Sequence, residues 1–166
     1  WYCAFFSTAF YVWIFRDVSL YMESALNLYY MGMAIYGWFQ WQKGGVDSSG
    51  VKIVRWRIQD HGLAIVGIIF ASLISGLLLS ENTDAQRPFL DSFTTWASVL
   101  TTLMVARKVL ENWLYWIVIN GLSILLYIDR GLDQTAAMFS LYLVLAVVGY
   151  YQWKKVYVTQ NTTFAT

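Results

Sequence analysis

Residues 30–43 read YMGMAIYGWFQWQK and residues 142–155 read YLVLAVVGYYQWKK. Six positions agree without a gap at an offset of 112: Tyr30 with Tyr142, Ala34 with Ala146, Gly37 with Gly149, Gln40 with Gln152, Trp41 with Trp153 and Lys43 with Lys155. The same offset pairs Trp1 with Trp113, Phe15 with Tyr127, Asp17 with Asp129 and Leu20 with Leu132. A stretch near the start of the chain therefore recurs near its end.

Both stretches sit in apolar runs. The chain has 166 residues, 58% of them hydrophobic and 13% charged. A soluble domain carries about a quarter charged residues. Here the apolar residues come in blocks of membrane length separated by short polar stretches, the pattern of a multi-pass membrane protein. One small soluble core could not hide so many long uncharged runs. The spans are expected at 1–15 (A), 20–42 (B), 62–80 (C), 92–107 (D), 112–128 (E) and 134–153 (F), with 156–166 as a polar tail. A hydrocarbon core of about 30 Å needs about 20 helical residues. B, C and F meet that easily, whereas A, D and E are shorter.

Loop charges orient these spans. Lys43, Lys52, Arg55, Arg57, Arg107, Lys108, Lys154 and Lys155 fall on one side, against Arg16, Arg87 and Arg130 on the other. The acidic Asp17, Glu23, Glu81, Asp84, Asp91, Asp129 and Asp133 lie on the poorer side. The basic side is cytoplasmic by the positive-inside rule, which places the C-terminus inside. Trp38, Trp41, Tyr151 and Trp153 near span ends suit an aromatic belt.

Helix F lies four helices after B, so the two point the same way and the repeat is parallel. Parallel repeats about an axis along the membrane normal are known in transporters, with substrate sites near the midplane. D–E–F makes one three-helix unit, residues 92–155. A–B, residues 1–42, then lacks its first member, and residues 43–80 supply a loop and a linker helix. The chain begins at Trp1, without an initiating Met and inside an aromatic run, so one further N-terminal helix is expected: seven in all, as three plus one plus three.

Little conventional chemistry is available. The net charge of +1 implies no nucleic-acid or other polyelectrolyte partner. A single cysteine, Cys3, excludes a disulfide framework and a thiolate metal site. The single histidine, His61, reads as a solvated residue in a charged loop. No catalytic grouping is visible, so neither an enzyme nor a cofactor or metal is expected. A purely structural subunit would not need amides beside tryptophans at midplane depth.

Those amides are the candidate site. Glu111-Asn112-Trp113 opens helix E, followed by Trp116, Asn120, Ser123 and Tyr127 at spacings that share one helical face. Asn120 falls near mid-span, where an unpaired amide is costly, so it should face protein or a cavity. It could also be a hydrogen bond that glues helices together. Helix B presents Asn27 and Tyr30 at similar depth, with Ala34 and Gly37 as points of close helix approach. Aromatic faces with two amides suit a flat, polar-edged solute, including a cationic ring. Asn112 reads as a helix N-cap, and Glu111 as a dipole-favoured carboxylate paired with Arg107 and Lys108, or as a gate. No Asp, Glu, Lys, Arg or His falls in the central part of any span, which argues for uncoupled, facilitated diffusion.

The residues Arg107-Lys108, Glu111-Asn112-Trp113-x2-Trp116-x3-Asn120, Tyr127, Tyr36-Gly37-Trp38-x2-Trp41 and Pro88-Phe89-Leu90-Asp91-Ser92 resemble the PnuC family of nicotinamide riboside transporters. The Glu-Asn-Trp-x2-Trp-x3-Asn string is the specific part, and the likeness spans residues 1 to about 155. It implies a SWEET-like 3+1+3 plan and a bacterial inner membrane location. It also implies uptake of nicotinamide riboside trapped by cytoplasmic phosphorylation, with Trp116 and Asn120 as substrate contacts. Trp113, Asn27, Tyr30 and Tyr127 complete the expected substrate-binding set. Where relatives often have Gln in helix B, this chain has Asn27, and thiamine or riboflavin stay open as alternative substrates. The partners expected are a small molecule and the lipid bilayer, with a homo-oligomer left open.

Overall fold

The computed structural model describes residues 1–17, 21–42, 52–82, 87–129 and 131–162. Lys43, Asp84, Arg130 and Leu20, used above, lie outside the described residues, as do the side chains of Phe15, Arg16, Asp17 and Glu23. Six helices follow in order: α1 Tyr2–Asp17, α2 Tyr21–Gln42, α3 Ile58–Asn82, α4 Pro88–Ala106, α5 Asn112–Asp129 and α6 Asp133–Thr162. They correspond to A to F.

Three of the six are long and apolar enough to cross a membrane by length and composition: α3, α4 and α6. The expectation of six spans is met at that standard by half of them. α1 has 16 residues, about 24 Å of helix. α2 has 22 residues, but its Tyr, Trp, Gln and Asn content lowers its mean hydropathy. The exposed side chains support membrane residence. Leu63, Val66, Phe70, Leu73 and Leu77 of α3 are all more than half exposed. An apolar surface of this kind is a liability in water and a normal face in lipid.

Three boundaries depart from the sequence expectation, each for a local reason. α3 starts at Ile58 rather than 62 because the Asp60 carboxylate accepts the Arg57 backbone N–H at 3.1 Å, half of a capping box. α4 starts at Pro88 rather than 92, since proline at the first helical position gives up an N–H that would be unpaired anyway. α6 runs to Thr162, well past 153, so most of the expected polar tail is helical. Its distal end is tied down by the Gln160 side-chain oxygen, which accepts from the Ile53 backbone N–H at 3.2 Å.

The chain forms two compact units. The first comprises Trp1–Lys52 with Thr102–Lys108. In it the α1–α2 pair brings the Trp1 indole onto Gly37, where a Cβ would stand 2.5 Å from the ring. Trp1 meets Trp41 edge-on at 5.3 Å and 88°. Trp41 donates its indole N–H to the Val105 carbonyl at 3.3 Å, and the Lys108 ammonium lies 4.7 Å over its ring. Burial lowers the Lys108 pKa, and the residue holds a left-handed φ of 52°.

The second unit comprises Ile53–Thr101 with Val109–Thr166. Ile68 of α3, Ala97 of α4 and Ile119 of α5 form its core, flanked by Phe93, Leu100, Tyr115 and Trp116. Gly76 of α3 admits the Phe89 ring, which a Cβ would meet at 2.5 Å. The α5–α6 turn is a Schellman motif. Leu132 N–H bonds to Tyr127 C=O, Gly131 N–H bonds to Ile128 C=O, both at 2.9 Å, and Gly131 takes a φ of 69°. Arg87 pairs with Asp129.

The 112-residue register reappears in this second unit as geometry. The Trp113 indole rests on Gly149, where a Cβ would stand 2.6 Å from the ring. Trp113 meets Trp153 edge-on at 5.4 Å and 88°. Ala34 and Ala146 are each buried, and the indole nitrogens of Trp1 and Trp113 are both buried without a hydrogen-bond partner among the described residues. The repeated glycine was expected to admit a neighbouring helix. What it admits is a tryptophan ring.

Candidate functional site

The site begins with the entry to α5. The Glu111 carbonyl accepts the N–H groups of Leu114 and Tyr115, so Glu111 occupies the cap position and Asn112 is the first helical residue. The fully buried Asn112 amide donates to the Val109 carbonyl at 2.6 Å. It thus braces the preceding turn and does not cap the helix with its oxygen, which is buried and has no hydrogen-bond partner among the described residues.

The Glu111 side chain is 9% exposed and binds Arg55 at 2.7 Å, not Arg107 or Lys108. Its second oxygen accepts the Trp56 backbone N–H at 3.3 Å. The Val54–Val109 bridge, closed by Leu110 N–H to Val54 C=O at 2.8 Å, brings the 53–56 segment alongside. Local pairing of neighbours in sequence loses to this strand-like crossing, which delivers Arg55 and Trp56 to both carboxylate oxygens. The Glu111 hydrogen bond and charge raise the Arg55 pKa. Removing a partner from a buried hydrogen-bonded group costs about 1–3 kcal/mol. Glu111→Ala should therefore lower the thermal midpoint of the purified protein, and an unchanged midpoint would show that this clasp contributes nothing to stability.

Along α5 the buried residues are Asn112, Ile119, Asn120, Ser123 and Leu126. Asn120 is 4% exposed, at the middle of the helix. Among the described residues its side chain makes no hydrogen bond. Trp116 is half-buried against the Ile68–Ala97–Ile119 core. Tyr127 stacks on Phe139 of α6 at 5.1 Å and 24°, and Trp113 sits on Gly149. The structure thus carries Trp113, Trp116, Asn120 and Tyr127 on α5 of the second unit. Asn27 and Tyr30 lie on α2 of the first unit, both half-buried and both engaged in contacts.

Two groups of polar residues were not singled out in the sequence. α4 buries Ser92, Thr94 and Thr101, and Thr94 and Thr101 are seven apart, hence on one face. Their hydroxyls donate to carbonyls of their own helix, Thr101 to Ala97 at 2.6 Å and Thr94 to Asp91 at 3.0 Å. The oxygens keep the capacity to accept. His61 is not a solvated loop residue. It belongs to the first turn of α3, stacks on Tyr115 at 21° and lies 2.9 Å from the Tyr115 hydroxyl through Nδ1.

A cavity of about 460 Å³ opens beside this pair, lined by His61, Ile65, Ile68, Phe93, Val118 and Ile119 among others. Trp116 and Asn120 do not line it. Its walls are almost wholly apolar, and its few polar groups already have protein partners. It is therefore suited to hydrocarbon and not to a polar solute. No three His, Cys, Asp or Glu side chains among the described residues cluster as metal ligands.

Comparison with known families matches residues 1–155 to one described as "Nicotinamide mononucleotide transporter". The chain belongs to this transporter family. Within it, the chain is 25% identical over 165 residues to the nicotinamide riboside transporter PnuC of Escherichia coli K12, covering 84% of this chain and 69% of that protein. It is 29% identical over 140 residues to PnuC of Haemophilus influenzae, covering 81% of this chain and 59% of the relative. The riboflavin/roseoflavin transporter RibM of Streptomyces davaonensis is 22% identical over 129 residues, covering 74% and 59%. The crystal structure of the vitamin B3 transporter PnuC superposes with a TM-score of 0.69 at 24% identity, over 94% of this chain and 71% of that one. The fold is thus that of a PnuC-family multi-pass membrane transporter.

Proposed function

We propose that this chain carries nicotinamide riboside across the bacterial inner membrane by facilitated diffusion, and that phosphorylation in the cytoplasm traps the solute. The observation that carries the reading is the Trp116-x3-Asn120 string lying on one half-buried to buried face of α5, with an amide for which no side-chain hydrogen bond is found among the described residues. Trp116 stacks on the nicotinamide ring, and the Asn120 amide can both donate to and accept from a polar edge. Trp113 and Tyr127 complete the contact set on α5, Asn27 and Tyr30 are the candidates that the sequence offers on α2, and Glu111 and Asn112 hold the entry to α5.

The repeated Trp–Gly–Trp packing supports two parallel repeats of a 3+1+3 plan, residues 1–42 and 92–155, joined through 43–80. The excess of Lys and Arg on one side supports a cytoplasmic C-terminus. Cysteines introduced just after α2 and just after α6 should both label only from the cytoplasmic side. Labelling from opposite sides would contradict a parallel repeat.

A second reading, riboflavin as the substrate, is favoured by the likeness to RibM. Thiamine, another flat cation, fits the same aromatic and amide chemistry. Calorimetry on the purified chain decides among them. Nicotinamide riboside should bind at least tenfold more tightly than thiamine or riboflavin, since a site that hydrogen-bonds one polar edge penalises ligands that leave it unpaired. Tighter binding of riboflavin would transfer the function to the second reading.

A further inference from the structure

We infer that Gly149 is a positioning residue for the substrate site: its missing side chain is the seat that fixes the Trp113 indole, and through it the start of the Trp113–Trp116–Asn120 face. The inference rests on the proposed substrate role of that face.

The indole is held from two sides. A Cβ on Gly149 would fall 2.6 Å from Trp113 Cη2 and Cζ3 and 2.7 Å from Cε3, closer than side-chain carbons approach. On another side Trp153 meets the same ring edge-on at 5.4 Å and 88°. A methyl at 149 must therefore push the ring out of its seat, and Trp153 closes one way of escape. Gly149 is itself buried, and glycine in a helix interior is otherwise disfavoured relative to alanine. The Trp113 indole nitrogen is buried and has no acceptor among the described residues. In a membrane-embedded protein an unpaired donor is costly, and the ring is held in its seat by packing against Gly149 and Trp153 and not by a hydrogen bond. The first unit repeats the arrangement with Trp1, Gly37 and Trp41, so the seat is a built feature and not an accident of one helix pair.

Small displacements of a binding group can remove a hundredfold of function. Gly149→Ala should therefore raise the Kd for nicotinamide riboside at least tenfold, as should Trp113→Ala. Because both act on one ring, the double variant should bind no worse than Trp113→Ala alone. Its thermal midpoint should recover toward that of Trp113→Ala, since the clash is gone. The measurement is calorimetric binding and thermal unfolding of the full chain in detergent, on the parent and all three variants. Losses that multiply in the double variant would overturn the inference, as would weak binding by Trp113→Ala beside parental binding by Gly149→Ala. If Gly149→Ala does not fold, recovery of folded protein on adding Trp113→Ala sustains the inference and failure to recover overturns it. Parental affinity in Trp113→Ala would instead remove Trp113 from the substrate site, and the inference with it.

Discussion

Asn120→Ala is expected to leave a folded protein that binds nicotinamide riboside about 5- to 150-fold more weakly. A polar ligand group left unpaired in a buried site costs about 1–3 kcal/mol, and each 1.4 kcal/mol is a tenfold change in affinity. The amide is 4% exposed, so water cannot readily take its place. It has no side-chain hydrogen bond among the described residues, so truncation breaks no hydrogen bond that the structure describes. Stability and affinity therefore separate. A helix glue would lose thermal stability and keep its affinity, whereas a substrate contact would do the reverse. Trp116 needs a gentler probe. Its ring packs on the Ile68–Ala97–Ile119 core, and truncation of a large core aromatic costs about 3–5 kcal/mol of stability on its own. Trp116→Phe keeps much of the packing while weakening cation–π attraction, for which Trp is the best ring. Parental affinity in both Asn120→Ala and Trp116→Phe would move the site off this face.

Proteoliposomes holding the purified chain are expected to equilibrate substrate without concentrating it, with or without an imposed proton or sodium gradient. Ion coupling needs a group whose affinity for the ion differs between outward and inward states. The described charged residues of the helices lie near their ends: Asp60 and His61 open α3, Glu81 closes it, Asp91 sits in the first turn of α4, and Asp129 ends α5. In α6, Asp133 is the first residue, and Lys154 and Lys155 come 21 residues or more later, about 30 Å along the helix and so one bilayer thickness away. What remains at depth are amides, hydroxyls and indoles. An enclosed kinase with ATP should convert equilibration into accumulation. Substrate rising above its external concentration on a gradient alone, with no kinase inside, would refute uncoupled transport.

Much of this was legible along the chain because the signals are local or periodic. Uncharged runs of membrane length identify helices in lipid whatever their neighbours, since an unpaired backbone group cannot remain there. Six helices follow from those runs, and the α5 face follows from 3.6-residue periodicity acting on Trp116, Asn120 and Ser123. The 112-residue offset announced that Trp1–Trp41 and Trp113–Trp153 would be equivalent.

Tertiary structure decided what depends on which distant group arrives first. Glu111 has Arg107 and Lys108 within four residues, yet it binds Arg55 and the Trp56 N–H, because a β-bridge from Val54 to Val109 brings that segment across. His61 looked solvated because its partner, the Tyr115 hydroxyl, is 54 residues away. Gly37 signalled close approach without naming the visitor, since a missing Cβ records only that space is required. The visitor is an indole, with a second tryptophan meeting it edge-on. Sequence periodicity assigns a residue to a face, but the partner on that face is chosen by packing between segments far apart in the chain.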